Sequence, residues 1–122
     1  MQGDGTLTVS NGASLISGEI SPIASSTTSH GAVTVTGAGS SWTGPGNAIF
    51  VGYTGQGALS VNDLGFVSSK SITAGNDASS TGTIVVDGAI AAGRSTITSS
   101  AAILIAKDGN ASLNITNGAL VT

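Results

Sequence analysis

The sequence lacks cysteine, and it contains few charged or aromatic residues among its 122 positions. Without cysteine the chain has no disulfide framework, no thiol nucleophile and no thiolate metal site. Charged residues make up 7% of the chain, with three Lys and Arg against six Asp and Glu, and the basic residues are dispersed. We therefore expect no nucleic-acid partner, because nucleic acids are bound through dense basic surfaces.

Long apolar runs are missing as well. No stretch approaches the roughly 20 apolar residues of a membrane-spanning helix, so we expect no direct insertion into a membrane. The polar and acidic start Met1-Gln2-Gly3-Asp4 differs from the basic start and apolar run of a signal peptide. We expect that an export signal was removed or lies outside this chain.

What the chain does contain is a repeat. Its 39% hydrophobic residues are enough for a core, and its 19 glycines are typical of short strands joined by tight turns. Five similar segments carry an apolar anchor, with steps of 26, 26, 25 and 29 residues, at Leu7, Val33, Leu59, Ile84 and Leu113. A near-constant period of this size indicates a solenoid.

Three short strands are predicted in each repeat from alternating apolar positions. The first strand has the inward pairs Leu7/Val9, Val33/Val35, Leu59/Val61, Ile84/Val86 and Leu113/Ile115. The second follows a turn rich in Asn and Gly, and its inward candidates are Leu15, Ser41, Val67, Ala92 and Val121. The third has the pairs Ile49/Val51, Ile72/Ala74 and Ile103/Ile105, with Ile23 as a weaker equivalent.

These strands leave no room for a helix in the repeat. The sequence therefore predicts an all-β fold, a right-handed, single-stranded parallel β-helix (solenoid) of about four and a half rungs of roughly 26 residues. The predicted rungs are 5–30, 31–56, 57–81, 82–110 and, in part, 111–122. Three strands per rung predict a three-sided coil with rungs about 4.8 Å apart. The extra residues of the fourth rung are assigned to an insertion at 98–102.

Two sequence strings add a family resemblance. Residues 34–42 (TVTGAGSSW) and 49–57 (IFVGYTGQG), with the first repeat's Gly-x-Leu-x-Val-x-Asn-Gly-Ala-x-Leu pattern, resemble the passenger-domain repeats of bacterial autotransporters and related type V secreted adhesins. The resemblance covers nearly the whole chain. It implies a β-helical stalk segment of a larger protein, exported through the outer membrane, displayed extracellularly on the bacterial cell surface, and serving cell adhesion and virulence. It carries no catalytic residue over to this chain.

An enzyme is the first alternative, because some parallel β-helices act on glycans with clustered carboxylates. The acidic residues here are dispersed, at Asp4, Glu19, Asp63, Asp77, Asp87 and Asp108. Asp63 and Asp87 fall near equivalent turns, where capping the turn is the simpler role. His30 is the only histidine, so a multi-histidine metal site is excluded. We expect no enzymatic activity, metal or cofactor; a glycan-acting or glycan-binding β-helix is the alternative.

An ice-binding solenoid is a less favoured alternative. Thr-x-Thr segments occur at 6–8, 34–36 and 96–98, and flat arrays of such segments are typical of ice-binding surfaces. The predicted outward column is irregular, however, since it consists of Thr8, Thr34, Ser60, Val85 and Asn114. This irregularity argues against a match to an ice lattice.

The remaining candidate site is a contact patch of Trp42, Phe50 and Tyr53, which lie in one repeat and belong to the residue types that dominate recognition energetics. The alternative is that all three cover turns or pack along the stalk. Phe50 is out of phase with its inward neighbours, so we expect it to be exposed. The expected partner is a surface ligand: a host matrix protein, a glycan or a neighbouring cell. No cap is visible before Gly5 or after Val121, so open ends and end-to-end self-association are expected.

Overall fold

The computed structural model describes residues 3–88 and 93–122. Over these residues it contains eleven β-strands and no helix, so none that is long and apolar enough to cross a membrane. The strands are β1 (Asp4–Val9), β2 (Ser14–Ile16), β3 (Ile20–Ile23), β4 (His30–Thr36), β5 (Ser41–Val51), β6 (Gln56–Asn62), β7 (Phe66–Ala74), β8 (Thr81–Asp87), β9 (Thr96–Ile105), β10 (Asn110–Thr116) and β11 (Leu120–Val121).

These strands form two parallel sheets. The first sheet has the order β1-β4-β6-β8-β10, and the second has the order β2-β5-β7-β9-β11 with β3 also paired to β5. Each strand lies beside its equivalent in the next repeat, so the chain is a β-solenoid of about four turns with a spacing of about 26 residues. The predicted anchor row is in register, residue on residue, through Leu7, Val33, Leu59, Ile84 and Leu113. The prediction of an all-β parallel solenoid is confirmed.

The core lies between the two sheets and is made by the inward members of the alternation. Val35, Val61 and Val86 are in register and fully buried. A buried aliphatic side chain of this kind contributes about 1.5–3 kcal/mol, and each rung supplies several. On the first and last strands of this sheet one inward residue each is more accessible, with Leu7 44% and Ile115 48% exposed, whereas Val9 of the first strand is 3% exposed.

The hydrogen-bonding pattern joins two of the three predicted strands in most rungs. The second and third predicted strands of a rung are continuous in β5, β7 and β9, with only a register irregularity between Gly44 and Ala48 and between Ser69 and Ser71. Backbone pairing therefore passes through the corner, because residues on both sides of it stay extended. The inward pairs predicted for the third strand are in register as expected, at Ile49/Val51, Ile72/Ala74 and Ile103/Ile105, with Ile23 beside Val51.

The inward residue of β5 is also corrected. Trp42, not Ser41, is in register with inward Leu15 and Val67. The reason is turn length: residues 37–40 separate β4 from β5, whereas only residues 63–65 separate β6 from β7. One extra residue in a turn reverses the phase of the strand that follows. The predicted inward Ala92 lies outside the described residues, and Ile97 occupies this row in the fourth rung.

The insertion of the fourth rung was assigned to the wrong place. Residues 98–102 belong to β9, and at that point the register allows only one more residue than in β7. Most of the extra length lies between Asp87 and Thr96, because residues 88–95 connect strands that residues 63–65 connect in the previous rung. The small residues at 98–102 fit a strand as readily as a loop, and here they continue β9 and pair with β7.

Candidate functional site

The structure places Trp42 in the core. Its side chain is 3% exposed, and Nε1 donates a hydrogen bond to Ser17 Oγ at 2.8 Å. A buried indole requires a partner for this N–H group, and the small residue of the neighbouring rung supplies it. Trp42 therefore packs inside the solenoid, in line with the packing alternative for the aromatics, and contributes nothing to a surface patch.

Phe50 and Tyr53 contact each other at the outer surface. Their ring centroids are 5.1 Å apart with an interplanar angle of 85°, an edge-to-face arrangement of the kind that aromatic pairs prefer. Phe50 is half-buried at an outward position of β5, and Tyr53 in the following loop is 38% exposed. Two of the three predicted patch residues are thus brought together.

Two further residues join this pair through the register of the second sheet. Pro22 of β3 lies beside Phe50, and Thr73 and Leu104 continue the same outward column in β7 and β9. Leu104 is 47% exposed, whereas Thr73 between the two apolar side chains is only 6% exposed. We call Pro22, Phe50, Tyr53 and Leu104 the outer patch. Leu104 could have been found from the sequence, because it precedes inward Ile105 as Phe50 precedes Val51.

The loop that carries Tyr53 belongs to an alternation between rungs that the sequence analysis missed. Residues 24–29 and 75–80 form loops of six residues, whereas residues 52–55 and 106–109 form loops of four. Ser29 and Ser80 close the long loops identically: each hydroxyl accepts from the N–H and donates to the carbonyl three residues earlier. Tyr53 is equivalent to Lys107, so the two short loops present different chemistry on one scaffold.

Gly55 and Gly109 show why the short loops need glycine. Each packs so closely on the long loop of the rung before it that a Cβ atom would overlap backbone oxygens there. Gly55 faces the loop closed by Ser29, and Gly109 faces the loop closed by Ser80. The structural unit at this corner is therefore a pair of rungs, in which a long loop supports a short one.

Polar groups border the outer patch. Asn76 Nδ2 donates to the carbonyl oxygen of Tyr53 at 3.4 Å, and Lys107 Nζ donates to Asn76 Oδ1 at 3.3 Å. Lys107 Nζ also lies 3.3 Å from Asp108 Oδ2, with both side chains about half exposed. Because the Lys107 and Asp108 side chains are about half exposed, a ligand beside the outer patch can reach this border of amide, ammonium and carboxylate groups. The ion pair itself contributes little to stability.

A second surface feature is a trough on the outside of the first sheet. Its lining includes the small side chains of Thr6, Ala32, Ala58 and Thr83, and it has a volume of about 380 Å³. Polar residues of three successive strands stand along one side of it. They are Asp4, His30 and Gln56, and His30 Nδ1 lies 2.9 Å from Asp4 Oδ1. His30 is exposed at the start of β4 and is not part of a buried site.

Two of the dispersed acidic residues, Asp63 and Asp87, form hydrogen bonds between rungs near turns. Thr36 Oγ1 donates to Asp63 Oδ2 at 3.2 Å, and Asn117 Nδ2 donates to Asp87 Oδ1 at 2.8 Å. Asp63 has a positive φ of 49°, a conformation that Asp and Asn tolerate better than most residues. Both carboxylates lie at or next to a turn and join neighbouring rungs through these bonds, and their capping of the turns stays a prediction. Across residues 3–88 and 93–122, no three His, Asp or Glu side chains form a group that could hold a metal ion.

The outward column that was compared with ice-binding surfaces is in register. Thr8, Thr34, Ser60, Val85 and Asn114 lie side by side on the outside of the first sheet. Side-chain type changes at nearly every rung, so the spacing of hydroxyl groups along the column is not regular.

Comparison with known proteins gives no assignment. No protein-family model, curated protein or solved structure matches the chain. The features of the chain that bear on its function are the solenoid, the outer patch with its polar border, and the trough on the first sheet.

Proposed function

We propose that the chain is a structural and adhesive stalk segment of a secreted bacterial surface protein, similar to an autotransporter passenger, and that the outer patch is its contact surface. The observation that carries the proposal is the cluster of apolar and aromatic side chains on the outside of a solenoid whose core is already complete. Exposed apolar side chains lower solubility, and a group of them on the surface is typical of a contact site.

The regular stacking of rungs supports a stalk. Each rung contacts only its neighbours, so a solenoid grows by addition of rungs, at about 4.8 Å each, without rearrangement of its core. A rod of this kind carries contact residues away from the cell that displays it. The location outside the cell rests on the resemblance to type V secreted passengers.

The chemistry of the outer patch fits a surface ligand. Tyr53 and Phe50 provide the aromatic area on which binding energy commonly concentrates, and the Asn76, Lys107 and Asp108 border provides hydrogen-bond donors and acceptors. A host matrix protein, a glycan or a component of a neighbouring cell offers matching apolar and polar groups. We propose no enzymatic activity for this surface and no cofactor.

Binding of the purified chain to immobilised matrix proteins, glycans and whole cells tests the adhesive role. We expect Tyr53→Ser and Leu104→Ser to reduce binding at least tenfold, the loss of about 1.4 kcal/mol or more that is typical of a central contact residue. Ile16→Ser is the matched control, because Ile16 is 77% exposed on the second sheet and outside the outer patch. Equal losses in all three variants, or binding by none of the surfaces, would contradict the proposal.

Glycan binding in the trough is the second candidate. The observation that favours it is the row of Asp4, His30 and Gln56 in successive strands beside a floor of small side chains, which offers polar groups at a repeat of about 4.8 Å to an extended polymer. Ala58→Tyr fills the trough without touching the outer patch. Loss of glycan binding in this variant alone would favour the trough as the glycan-binding site. Release of new reducing ends from pectin would favour a glycan-acting protein.

Thermal hysteresis of a solution of the chain would be the sign of an ice-binding solenoid.

We also propose that copies of the chain associate end to end. Leu7 and Ile115 occupy inward positions on the first and last strands of the first sheet, and each is a little under half exposed. Stacking of two copies would cover such side chains and extend the parallel pairing. Sedimentation over a range of concentrations is the measurement, and a strictly monomeric chain at high concentration would contradict self-association.

A further inference from the structure

One corner of the solenoid contains a polar cluster inside the otherwise apolar core. Ser17, Asn47 and Ser69 lie at this corner in successive rungs. Ser17 Oγ accepts two hydrogen bonds, from Trp42 Nε1 at 2.8 Å and from Asn47 Nδ2 at 2.7 Å. Asn47 is fully buried and Ser69 is 2% exposed, so bulk solvent does not reach the two side chains.

The strand register and the space at Gly44 bring the Asn47 side chain towards Ser69. Gly44 is in register with Ser69, and a Cβ atom added to Gly44 would lie 2.6 Å from the Cβ atom of Asn47. The Asn47 side chain therefore fills the space that Gly44 leaves empty. Since paired residues of neighbouring strands are about 4.8 Å apart, Asn47 and Ser69 face each other across one rung spacing.

Two polar atoms of this cluster lack a partner. Asn47 Oδ1 and Ser69 Oγ make no hydrogen bond to any of the described residues. Rotating the amide does not remove the problem, because either orientation leaves one amide atom directed away from Ser17. The hydroxyl of Ser99, which is in register with Ser69, directs its single proton at the carbonyl oxygens of Lys70 and Ala102, at 2.9 and 3.0 Å. Buried polar groups are almost always paired with protein or with ordered water.

We propose that one ordered water molecule is bound in this corner and bridges Asn47 Oδ1 and Ser69 Oγ. A single water is small enough to lie between side chains of successive rungs, and it offers two donors and two acceptors. Buried waters are typically held by about three hydrogen bonds to groups without another partner. The bridge connects the second and third rungs, and Ser17 extends it to the first, so polar contacts oppose a sliding of these rungs past each other.

The direction in which one substitution changes the stability of the fold tests the bridge. Ser69→Ala removes a partner of the water, and we expect the equilibrium constant for folding to fall roughly five- to tenfold relative to Ser68→Ala. Ser68 is the matched control, because it is the preceding residue of β7 and half-buried on the other face. If the Ser69 hydroxyl is instead unpaired, its removal relieves a buried polar group. Ser69→Ala would then be at least as stable as Ser68→Ala, and this result would overturn the proposal.

A direct measurement separates the water from other causes of destabilisation. Long-lived bound water transfers magnetisation to nearby amide protons in nuclear Overhauser spectra. We expect such transfer to the amide protons of Asn47 and Ser69 in the unsubstituted chain, and its loss in Ser69→Ala. Absence of the transfer in the unsubstituted chain would overturn the proposal even if the substitution lowers stability.

Discussion

Neighbouring residues of β6 should respond in opposite ways to the same substitution. Val61 is fully buried between Val35 and Val86, whereas Ser60 stands on the outside between Thr34 and Val85. Val61→Asp removes about 1.5–3 kcal/mol of apolar burial and places a carboxyl group among apolar side chains, which adds several kcal/mol. Together these terms are comparable with the whole stability of a domain, about 5–15 kcal/mol.

Ser60→Asp adds the same carboxylate at a position that faces solvent. No acidic side chain lies beside it in the register, so we expect a change within about 0.5 kcal/mol. Urea unfolding followed by the fluorescence of Trp42, the only tryptophan, measures both variants. At a typical slope of about 1–3 kcal/mol per M, the midpoints should differ by about 2 M or more.

Val61→Ala keeps the experiment informative if Val61→Asp does not fold. It removes roughly two methylene equivalents, at about 0.8 kcal/mol each, and leaves a small cavity, so we expect a loss of about 2 kcal/mol in a chain that still folds. Equal midpoints for Val61→Asp and Ser60→Asp would refute the assignment of inward and outward positions, and with it the register on which the outer patch depends.

Three further substitutions test local features. Ala106 has a positive φ of 58° where the equivalent residue of the second rung is Gly52, so Ala106→Gly should raise the free energy of unfolding by about 0.5–1 kcal/mol and with it the urea midpoint; a lower midpoint would contradict the strain. Gly55→Ala should destabilise the chain by about 2 kcal/mol or more, because the new Cβ overlaps backbone atoms of Ser26 and Ser29, and an unchanged midpoint would contradict this close packing. Trp42→Phe should lower stability by about 1–3 kcal/mol through loss of the hydrogen bond to Ser17 and of core volume, with unfolding then followed by circular dichroism; full stability would mean that this bond is not formed.

The sequence by itself determined the solenoid and the register of the first sheet. The apolar anchors recur at a near-constant step, and alternation with period two leaves only one phase that buries Leu59 and Val61 together. A shift by one residue would turn every inward side chain to the solvent. The repeat of the anchors and the alternation can both be recognised within the sequence, without knowledge of contacts between rungs. The same counting placed Phe50 on the outside of β5 and Asp63 and Asp87 near turns.

Tertiary structure decided where the chain changes direction, and these turns decide which residues form the outer patch. The phase of Trp42 depends on the four-residue turn at 37–40, because alternation restarts after every turn and a single extra residue reverses it. Likewise, the length of the loop before β9 shows only when strands are paired, since small polar residues fit a strand or a loop equally well.

The outer patch is a product of that pairing. Phe50 and Leu104 are far apart in sequence, and only the stacking of β5, β7 and β9 puts them in one column. The sequence alone determined which residues are apolar and out of phase. Which of them become neighbours was decided by strand register, because side-chain proximity across rungs depends on loop lengths that composition does not reveal.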